Sequence, residues 1–267
     1  MAPKEKIKVV ILCGGQGSRI KDVSEVLPKP MISIGGRPIL WHIMKIYAHY
    51  GYNDFILCLG YKGWVIKEFF LNYYSKMSDF SMTLGKQSSI VYHNSTDEEN
   101  WNVTLVETGD YAETGTRVRS IRKHLADCEM FSLTYGDGVA DINISALLEA
   151  HKKNGLLGTI TGVHPSGRFG EIELAGNRIV EFNEKPNVSV GLINGGFMVF
   201  NRAVLDKYFH DEGNVNMERD IIPKIVQDGQ VGIYRHAGFW DCMDTPREYN
   251  RLNQLWDENK AFWKVWA

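Results

Sequence analysis

A glycine-rich segment followed by two cations is the first feature of the sequence that could do chemistry. Three of the four residues 14–17 are glycine, directly after the apolar run 9–12, and Arg19 and Lys29 follow. The run is too short for a helix and is bounded by glycines, which predicts a buried strand. Glycines let the backbone approach a ligand closely, and the N–H groups of such a loop bind phosphate oxygens. Because Arg19 can contact two oxygens at once and Lys29 adds a compact charge, the segment indicates a polyphosphate site.

This segment matches neither of two common phosphate-binding loops. A P-loop requires a lysine and Ser/Thr at a fixed place after its glycines, and a dinucleotide fingerprint requires a glycine where this chain has Ile20. The sequence Gly-Gly-x-Gly-Ser-Arg, followed by Pro-Lys-Pro-Met at 28–31, resembles the signature of the sugar-phosphate nucleotidyltransferases. The alternative is a tight glycine turn that binds nothing, and the spacing of Arg19 and the Pro-Lys-Pro-Met segment argues against it.

The resemblance covers nearly the whole chain and includes members that use CTP and glucose 1-phosphate. It implies that CTP and α-D-glucose 1-phosphate give CDP-glucose and pyrophosphate for surface-polysaccharide synthesis such as O-antigen, with Mg²⁺ as cofactor. It also implies a homo-oligomer. Another nucleotide such as dTTP or UTP, another phosphorylated acceptor, and a non-catalytic homologue are the alternatives, and the intact charged residues argue against the last.

For the nucleotide, the resemblance implies contacts in the glycine loop and near residues 107–117. Arg117 is the candidate for the cytosine ring, Arg19 for the triphosphate and the leaving pyrophosphate, and Lys29 for the α-phosphate. Thr116 departs from the family pattern, which has a second glycine there. The implied nucleotide contacts are Leu12, Gly14, Gly15, Gln16, Gly17, Ser18, Arg19, Lys29, Gly115, Arg117 and Gly136.

Two carboxylates far apart in the sequence are the predicted Mg²⁺ ligands. Asp137 lies between glycines at the carboxyl end of a predicted strand, the edge of an open α/β sheet where ligands bind. Mg²⁺ prefers one or two carboxylates together with phosphate oxygens and water. The resemblance implies that the second Mg²⁺ ligand is Asp244, in the segment Gly-Phe-Trp-x-x-Met-Asp-Thr. Asp241 is a weaker candidate, because the family motif varies at that position. Without the resemblance, Asp137 is an ordinary turn residue and Asp244 or Thr245 is a helix cap.

For the acceptor, the resemblance implies a second set of residues in the later half of the chain. Glu184 is expected to bind sugar hydroxyls and Lys185 the sugar phosphate, although Glu-Lys-Pro is often only a surface turn. Arg168 is equally compatible with a structural ion pair. The implied acceptor contacts are Arg168, Gly170, Glu184, Lys185, Asn194 and Gly195.

The predicted elements that position these residues alternate between strand and helix in the first half. This order predicts right-handed βαβ units and a Rossmann-like, mainly parallel sheet flanked by helices, with added strands after residue 158. The resemblance implies the nucleotide-diphospho-sugar transferase type of this fold. We predict one domain, with a nucleotide-binding half (1–157), a sugar-phosphate-binding half (158–245) and a C-terminal helix with an aromatic tail (246–267).

Two further predictions concern packing. The helix after Pro38 should place His42, Lys45 and His49 on its solvated stripe, opposite an apolar face. The tail carries three of the seven tryptophans, and we predict that it forms an oligomer contact, with packing on its own subunit as the alternative. The tail aromatics are Trp256, Phe262, Trp263 and Trp266.

Composition narrows the class of protein. The net charge of −2 argues against binding to nucleic acid or to an anionic membrane, and no apolar run reaches the roughly 18 residues of a membrane span. The start lacks a signal-peptide pattern. The four cysteines have no metal-type spacing, which favours reduced thiols and a cytoplasmic location.

Overall fold

The computed structural model describes residues 6–15, 20, 27–85, 88–93, 100–165, 191–210 and 212–266, and the backbone of 171–175 and 178–183. The strands are β1 (Lys8–Leu12), β2 (Ser33–Ile34), β3 (Arg37–Pro38), β4 (Asp54–Leu59), β5 (Phe80–Thr83), β6 (Ser89–Tyr92), β7 (Asn102–Glu107), β8 (Met130–Tyr135), β9 (Gly138–Ala140), β10 (Gly158–Val163), β11 (Glu171–Ala175), β12 (Arg178–Asn183), β13 (Ile193–Asn201), β14 (Val231–His236) and β15 (Trp240–Cys242). The α-helices are α1 (Ile39–His49), α2 (Gly63–Leu71), α3 (Tyr73–Met77), α4 (Thr114–Ser120), α5 (Ile144–Asn154), α6 (Ala203–Tyr208), α7 (Ile222–Gln227) and α8 (Pro246–Asp257). Short 3₁₀ turns at Lys29–Met31 and Arg122–Leu125 and a π-helical turn at Met217–Ile221 complete the described elements.

The central sheet has seven strands in the order β14-β10-β13-β8-β1-β4-β7. Strand β13 runs antiparallel to its neighbours β8 and β10, and the other pairings are parallel. Hydrophobic cores cover both faces, which explains why β1 is an almost continuous apolar run. The predicted α/β fold with a mainly parallel sheet is confirmed.

Strand β1 is the point at which the order of strands in the sheet reverses, because β4 is added on one side of β1 and β8 on the other. A crevice forms at the carboxyl edge of the sheet at this point. The chain passes from β1 to β4 on one side and later returns to β8 on the other, so that Leu12 pairs with Tyr135. Ligands of open α/β sheets bind where neighbouring strands lead away in opposite directions. The segments that follow β1 and β8, residues 13–15 and 136–137, therefore lie together at the carboxyl edge.

Helix α1 is buried on more sides than its sequence pattern predicts. His42 is fully buried and Lys45 is only 8% exposed, so the prediction of a solvated stripe was wrong for both. The Trp263 indole N–H donates to Nδ1 of His42 (3.3 Å), and Nε2 donates to the Ile34 carbonyl oxygen (2.9 Å). Burial lowers the pKa of His42 to about 4, so the ring is neutral at pH 7. His49 is exposed, as predicted.

The C-terminal tail covers this side of α1. Trp263 is fully buried against the rings of His42, Trp256 and Phe239, with centroid distances of 6.1, 6.4 and 5.6 Å. The prediction that the tail forms an oligomer contact was therefore wrong for Trp263, because its own chain already buries this side chain. Within the described residues, no helix is long and apolar enough to cross a bilayer.

Replacing Trp263 by alanine should destabilise the fold strongly. Trp263→Ala removes a fully buried indole, and we expect the free energy of unfolding to fall by about 3–5 kcal/mol in urea titrations. The matched control is Phe262→Ala, since the adjacent ring is exposed and its loss should cost less than about 1 kcal/mol. Equal losses in the two variants would contradict this packing of the tail.

Candidate active site

Two adjoining cavities open at the carboxyl edge of the sheet. The first cavity, of about 410 Å³, lies beside residues 12–15, and the second, of about 490 Å³, lies between β13 and the start of α8. Thr114, Tyr135 and Asp137 line both cavities and form their common border. A ligand in one cavity would therefore lie next to a ligand in the other.

A charge cluster of one lysine and two carboxylates lies at this border. The Lys29 ammonium donates to Oδ2 of Asp137 (2.5 Å) and to Oδ1 of Asp244. Lys29 is largely buried. Burial lowers the pKa of Lys29, but the charges and hydrogen bonds of the two carboxylates outweigh this effect and raise the pKa above its ordinary value. The two predicted metal ligands thus converge on one positively charged group.

A small ladder that the sequence pattern did not predict brings the two carboxylates together. Strands β9 and β15 pair antiparallel, with Gly138 opposite Cys242. The Met243 N–H then donates to the Asp137 carbonyl oxygen (2.8 Å), which places Asp244 beside Asp137. Each strand has only three residues, too short to give a detectable period, so the sequence carried little signal for this pairing.

Asp244 does not cap the helix that follows it. Thr245 forms the capping box of α8 with Glu248, whose carboxylate accepts from the Thr245 N–H (2.7 Å). Asp241 is buried and accepts from the Cys242 N–H (3.0 Å), while its other oxygen lies 3.5 Å from the Arg251 Nε. The helix-cap alternative for Asp244 is therefore contradicted, because Thr245 takes that position.

A thiol lies beside the charge cluster. Sγ of Cys242 is 3.9 Å from the second carboxylate oxygen of Asp244. Burial and the surrounding carboxylates raise the pKa of Cys242 to about 12, so the thiol stays protonated. The arrangement therefore favours positional and electrostatic chemistry over a thiolate nucleophile.

Of the predicted nucleotide contacts, several line the first cavity. Gly115 instead packs at the start of α4, where a Cβ would come within 2.8 Å of the Val215 carbonyl oxygen. Gln16, Gly17, Ser18 and Arg19 lie outside the described residues. The predicted residues that line the first cavity are Leu12, Gly14, Gly15, Lys29, Arg117 and Gly136.

Arg117 braces the wall of the first cavity. One guanidinium nitrogen donates to the carbonyl oxygens of Leu59 (2.9 Å) and Gly109 (2.8 Å) and to the Thr108 hydroxyl (2.8 Å). The other donates to the Gly14 carbonyl oxygen (3.0 Å). A Cβ on Gly14 would lie 2.1 Å from this guanidinium, so only glycine permits the approach. Arg117 thus joins the glycine segment to the ends of β4 and β7, and its contact with a base stays a prediction.

A hydrogen-bonded network forms the border of the second cavity. The carboxylate of Glu218 accepts from the Tyr135 hydroxyl (2.5 Å) and the Thr114 hydroxyl (2.7 Å). The Asn194 amide donates to the same Tyr135 hydroxyl (3.2 Å). Burial and the charge of Glu218 raise the pKa of Tyr135, so its hydroxyl remains a proton donor. These groups fix Asn194, a predicted acceptor contact.

The aromatic residue of the Gly-Phe-Trp motif also lies in the second cavity. The Trp240 indole N–H donates to the carbonyl oxygen of Gly195, another predicted acceptor contact (2.7 Å). Trp240 lies within a motif that predicted no role for it, and neither Tyr135 nor Glu218 was predicted as a site residue. Glu218 lies on the π-helical turn, and no feature of the sequence connects it to residue 135. Arg168, Gly170, Glu184 and Lys185 lie outside the described residues.

Comparison with known proteins identifies the class of enzyme. A crystal structure of HddC from Yersinia pseudotuberculosis shares the fold, with a TM-score of 0.68, 22% identity and coverage of 94% of this chain and 99% of that chain. The Nucleotidyl transferase family model matches residues 8–258, and this chain belongs to that family of enzymes. Two curated relatives each cover 97% of this chain over their full length. They are the glucose-1-phosphate cytidylyltransferase of Salmonella typhimurium (44% identical) and a Bacillus subtilis protein named "Probable glucose-1-phosphate cytidylyltransferase" (42%).

The bracing by Arg117 predicts a large effect on stability. Arg117→Met removes the donor of two buried hydrogen bonds, to the Leu59 and Gly14 carbonyl oxygens, and of a part-buried one to Gly109, and we expect the free energy of unfolding to fall by about 2–4 kcal/mol in urea titrations. Arg247→Met is the control, because Arg247 is exposed at the second cavity and its loss should change stability by less than about 0.5 kcal/mol. Unchanged stability of Arg117→Met with lost nucleotide affinity would assign Arg117 to the nucleotide alone.

Proposed function

We propose that this chain is an Mg²⁺-dependent cytidylyltransferase that converts CTP and α-D-glucose 1-phosphate to CDP-glucose and pyrophosphate. The observation that carries the proposal is the cluster of Lys29, Asp137 and Asp244 at the border of two adjoining cavities. The identity of 42–44% over nearly the whole chain to glucose-1-phosphate cytidylyltransferases supports the choice of CTP and glucose 1-phosphate.

The reaction joins two anionic phosphates. A phosphate oxygen of glucose 1-phosphate attacks the α-phosphorus of CTP, and a new oxygen–phosphorus bond forms. The bond from the α-phosphorus to the oxygen that bridges to the β-phosphorus breaks, and its electron pair leaves with pyrophosphate. Because both reactants are negatively charged, catalysis depends on holding them in line and on neutralising charge.

The described residues supply two parts of this arrangement. We assign the nucleotide to the first cavity, beside Gly14, Gly15 and Gly136, and the sugar to the second, beside Asn194 and Gly195. In this assignment the α-phosphorus lies at the common border. There the Lys29 ammonium stabilises the negative charge that builds on the transferring phosphate.

The two carboxylates form a donor set that suits Mg²⁺. Asp137 and Asp244 already direct oxygens at one cation, the Lys29 ammonium, and two carboxylates with substrate oxygens match the preference of Mg²⁺. Asp137 and Asp244 would hold the ion. When bound, Mg²⁺ supplies charge neutralisation at the phosphate oxygens.

The remaining roles follow the family resemblance and concern residues outside the described part of the chain. We assign Arg19, with Gln16, Gly17 and Ser18, to the triphosphate and the leaving pyrophosphate. We assign Lys185 to the attacking phosphate and Glu184, with Arg168 and Gly170, to the sugar. The separation into a nucleotide-binding and a sugar-binding half is part of the same proposal.

We further place the reaction in the cytoplasm and its product in surface-polysaccharide synthesis. The four cysteines are unpaired, as is usual in a reducing compartment.

A substrate panel tests the proposed function. CTP, UTP, dTTP and ATP are each combined with the 1-phosphates of glucose, mannose and galactose, and pyrophosphate release is measured with Mg²⁺. We expect turnover with CTP and glucose 1-phosphate to exceed every other pair by at least about 10-fold, which corresponds to about 1.4 kcal/mol in transition-state binding. Faster turnover with another pair would overturn the assignment of substrates.

The same assay tests the role of Asp137 and Asp244 with two single variants and the double variant. Asp137→Ala and Asp244→Ala should each abolish turnover, and the double variant should be scarcely worse, because the ion can be lost only once. Lys29 keeps one carboxylate partner in each single variant, so stability should change by no more than about 2 kcal/mol. Near-normal turnover of either single variant would contradict a role for the pair.

We also propose a homo-oligomer whose copies meet at an apolar face. The face combines strands β5 and β6, whose residues are all exposed, with a groove of about 340 Å³ beside α3 and β7. The rings of Tyr74 and Tyr92, 5.8 Å apart, join the two parts. A projection and a groove on one face suit a second copy, because two-fold symmetry lets each copy insert into the other. The groove is lined by Phe70, Leu71, Tyr73, Tyr74, Trp101, Val103 and Leu105.

Light scattering tests this interface. Leu71 is 83% exposed at the groove, and Leu71→Lys should lower the mass in solution by placing a charge in the interface. Val226→Lys is the control, since Val226 is also exposed but lies on α7. An unchanged mass of the Leu71 variant, or a monomeric wild type, would contradict the interface.

A further inference from the structure

The segment that carries Lys29 continues directly into a small hairpin. The Ile32 N–H donates to the Lys29 carbonyl oxygen (3.1 Å), and the chain then forms β2 and β3. At the start of α1, the Ile39 N–H donates to the Ile32 carbonyl oxygen (2.9 Å) and closes the hairpin. Any displacement of this hairpin therefore displaces the backbone next to Lys29.

Helix α8 holds this hairpin at its turn. Oδ1 of Asn253 accepts from the Gly35 N–H (3.1 Å), and Nδ2 lies 3.5 Å from the Ser33 carbonyl oxygen. The indole of Trp256 packs directly on Gly35, where an added Cβ would lie 2.0 Å from Nε1. His42 holds the same hairpin through its hydrogen bond to Ile34. The hairpin is thus fixed by side chains from the last turns of α8 and from α1.

The other end of the same helix follows Asp244. Helix α8 begins at Pro246, and the Thr245–Glu248 capping box fixes its first turn. Its 12 residues span about 18 Å as one hydrogen-bonded unit. One rigid element therefore begins two residues after Asp244 and contacts the hairpin next to Lys29 near its other end.

We propose that α8 is a positioning element for the charge cluster, and that Asn253 and Trp256 are positioning residues. They set the placement of the Lys29 ammonium relative to Asp244 and touch no substrate themselves. The inference rests on the proposed function, in which Lys29 stabilises charge on the transferring phosphate and Asp244 would help to hold Mg²⁺. A small error in the placement of a catalytic group lowers the rate of the chemical step more than it lowers substrate binding.

Two adjacent glycines provide a matched pair of variants. Gly35 and Gly36 both have positive φ (56° and 79°), so alanine strains the backbone at either position. Only at position 35 does the new Cβ collide with Trp256, because a Cβ at position 36 meets nothing within 4 Å. Gly35→Ala should lower kcat by at least about 10-fold more than Gly36→Ala, with KM for both substrates within about two-fold of wild type.

Lysine labelling gives a second measurement that does not depend on turnover. Lys29 and Lys8 have similar side-chain exposures of 12% and 13%, and both are paired with aspartates. We expect an amine-reactive ester to label Lys29 faster in Gly35→Ala than in Gly36→Ala, while Lys8 reacts equally in both, as read by peptide mass spectrometry. Gly35→Ala combined with Trp256→Leu should recover part of kcat and part of the protection of Lys29 from labelling, because the smaller side chain removes the collision with the new methyl group but packs less closely on the hairpin than the indole does.

A second pair of variants covers the case in which Gly35→Ala fails to fold. Asn253→Ala should lower kcat and speed the labelling of Lys29, whereas Asn250→Ala, exposed on the same helix, should do neither. Equal kcat and equal Lys29 labelling within each pair of variants would overturn the inference. Absent turnover of the wild type with CTP would refute the proposed function, and the labelling would still decide whether α8 positions Lys29.

Discussion

The structure depends on a shared electrostatic contact between Lys29, Asp137 and Asp244. Placing any one of these charges in a partly buried position without the others would cost several kcal/mol, since a desolvated charge needs a partner. Each comes from a different part of the chain: the 3₁₀ turn Lys29–Met31, the loop after β8 and the segment between β15 and α8. The contact is therefore satisfied only when the switch point of the sheet, the β9–β15 ladder and the last helix are all in place.

A second polar contact supports the first cavity in the same way. Arg117 is buried, and its guanidinium donates to backbone carbonyls at the ends of β1, β4 and β7. A carbonyl oxygen can accept more than one hydrogen bond, and one guanidinium with its fixed geometry donates to three of these oxygens at once. The cavity that we assign to the nucleotide is thus built on a cation that belongs to the fold.

The C-terminal segment connects the hydrophobic core to the charge cluster. Trp263 and His42 are buried together, and His42 in turn binds the hairpin that follows Lys29. In this way apolar burial far from the cavities contributes to the position of a charged side chain within them. This also explains why His42 lies on a buried side of α1, where the helix period alone predicts solvent.

The sequence by itself determined the α/β alternation, the strand before the glycines and the turn that follows β8, because periodicity, glycine and proline act locally. The motif resemblance to the nucleotidyltransferases singled out Lys29, Asp137 and Asp244, together with Arg19, as catalytic candidates, and it paired only the two aspartates. Only the tertiary structure decided that Lys29, Asp137 and Asp244 are in contact, that Arg117 braces the ends of three strands, and that Tyr135 and Glu218 share the border of the cavities. Contacts between distant segments depend on how strands order and pair in space, and short pairings such as β9 with β15 leave no periodic trace in the sequence. The burial of His42 and of Trp263 in the aromatic tail also depended on the tertiary structure. A helix pattern indicates which face is apolar, but it does not indicate which segment of the chain covers the opposite face.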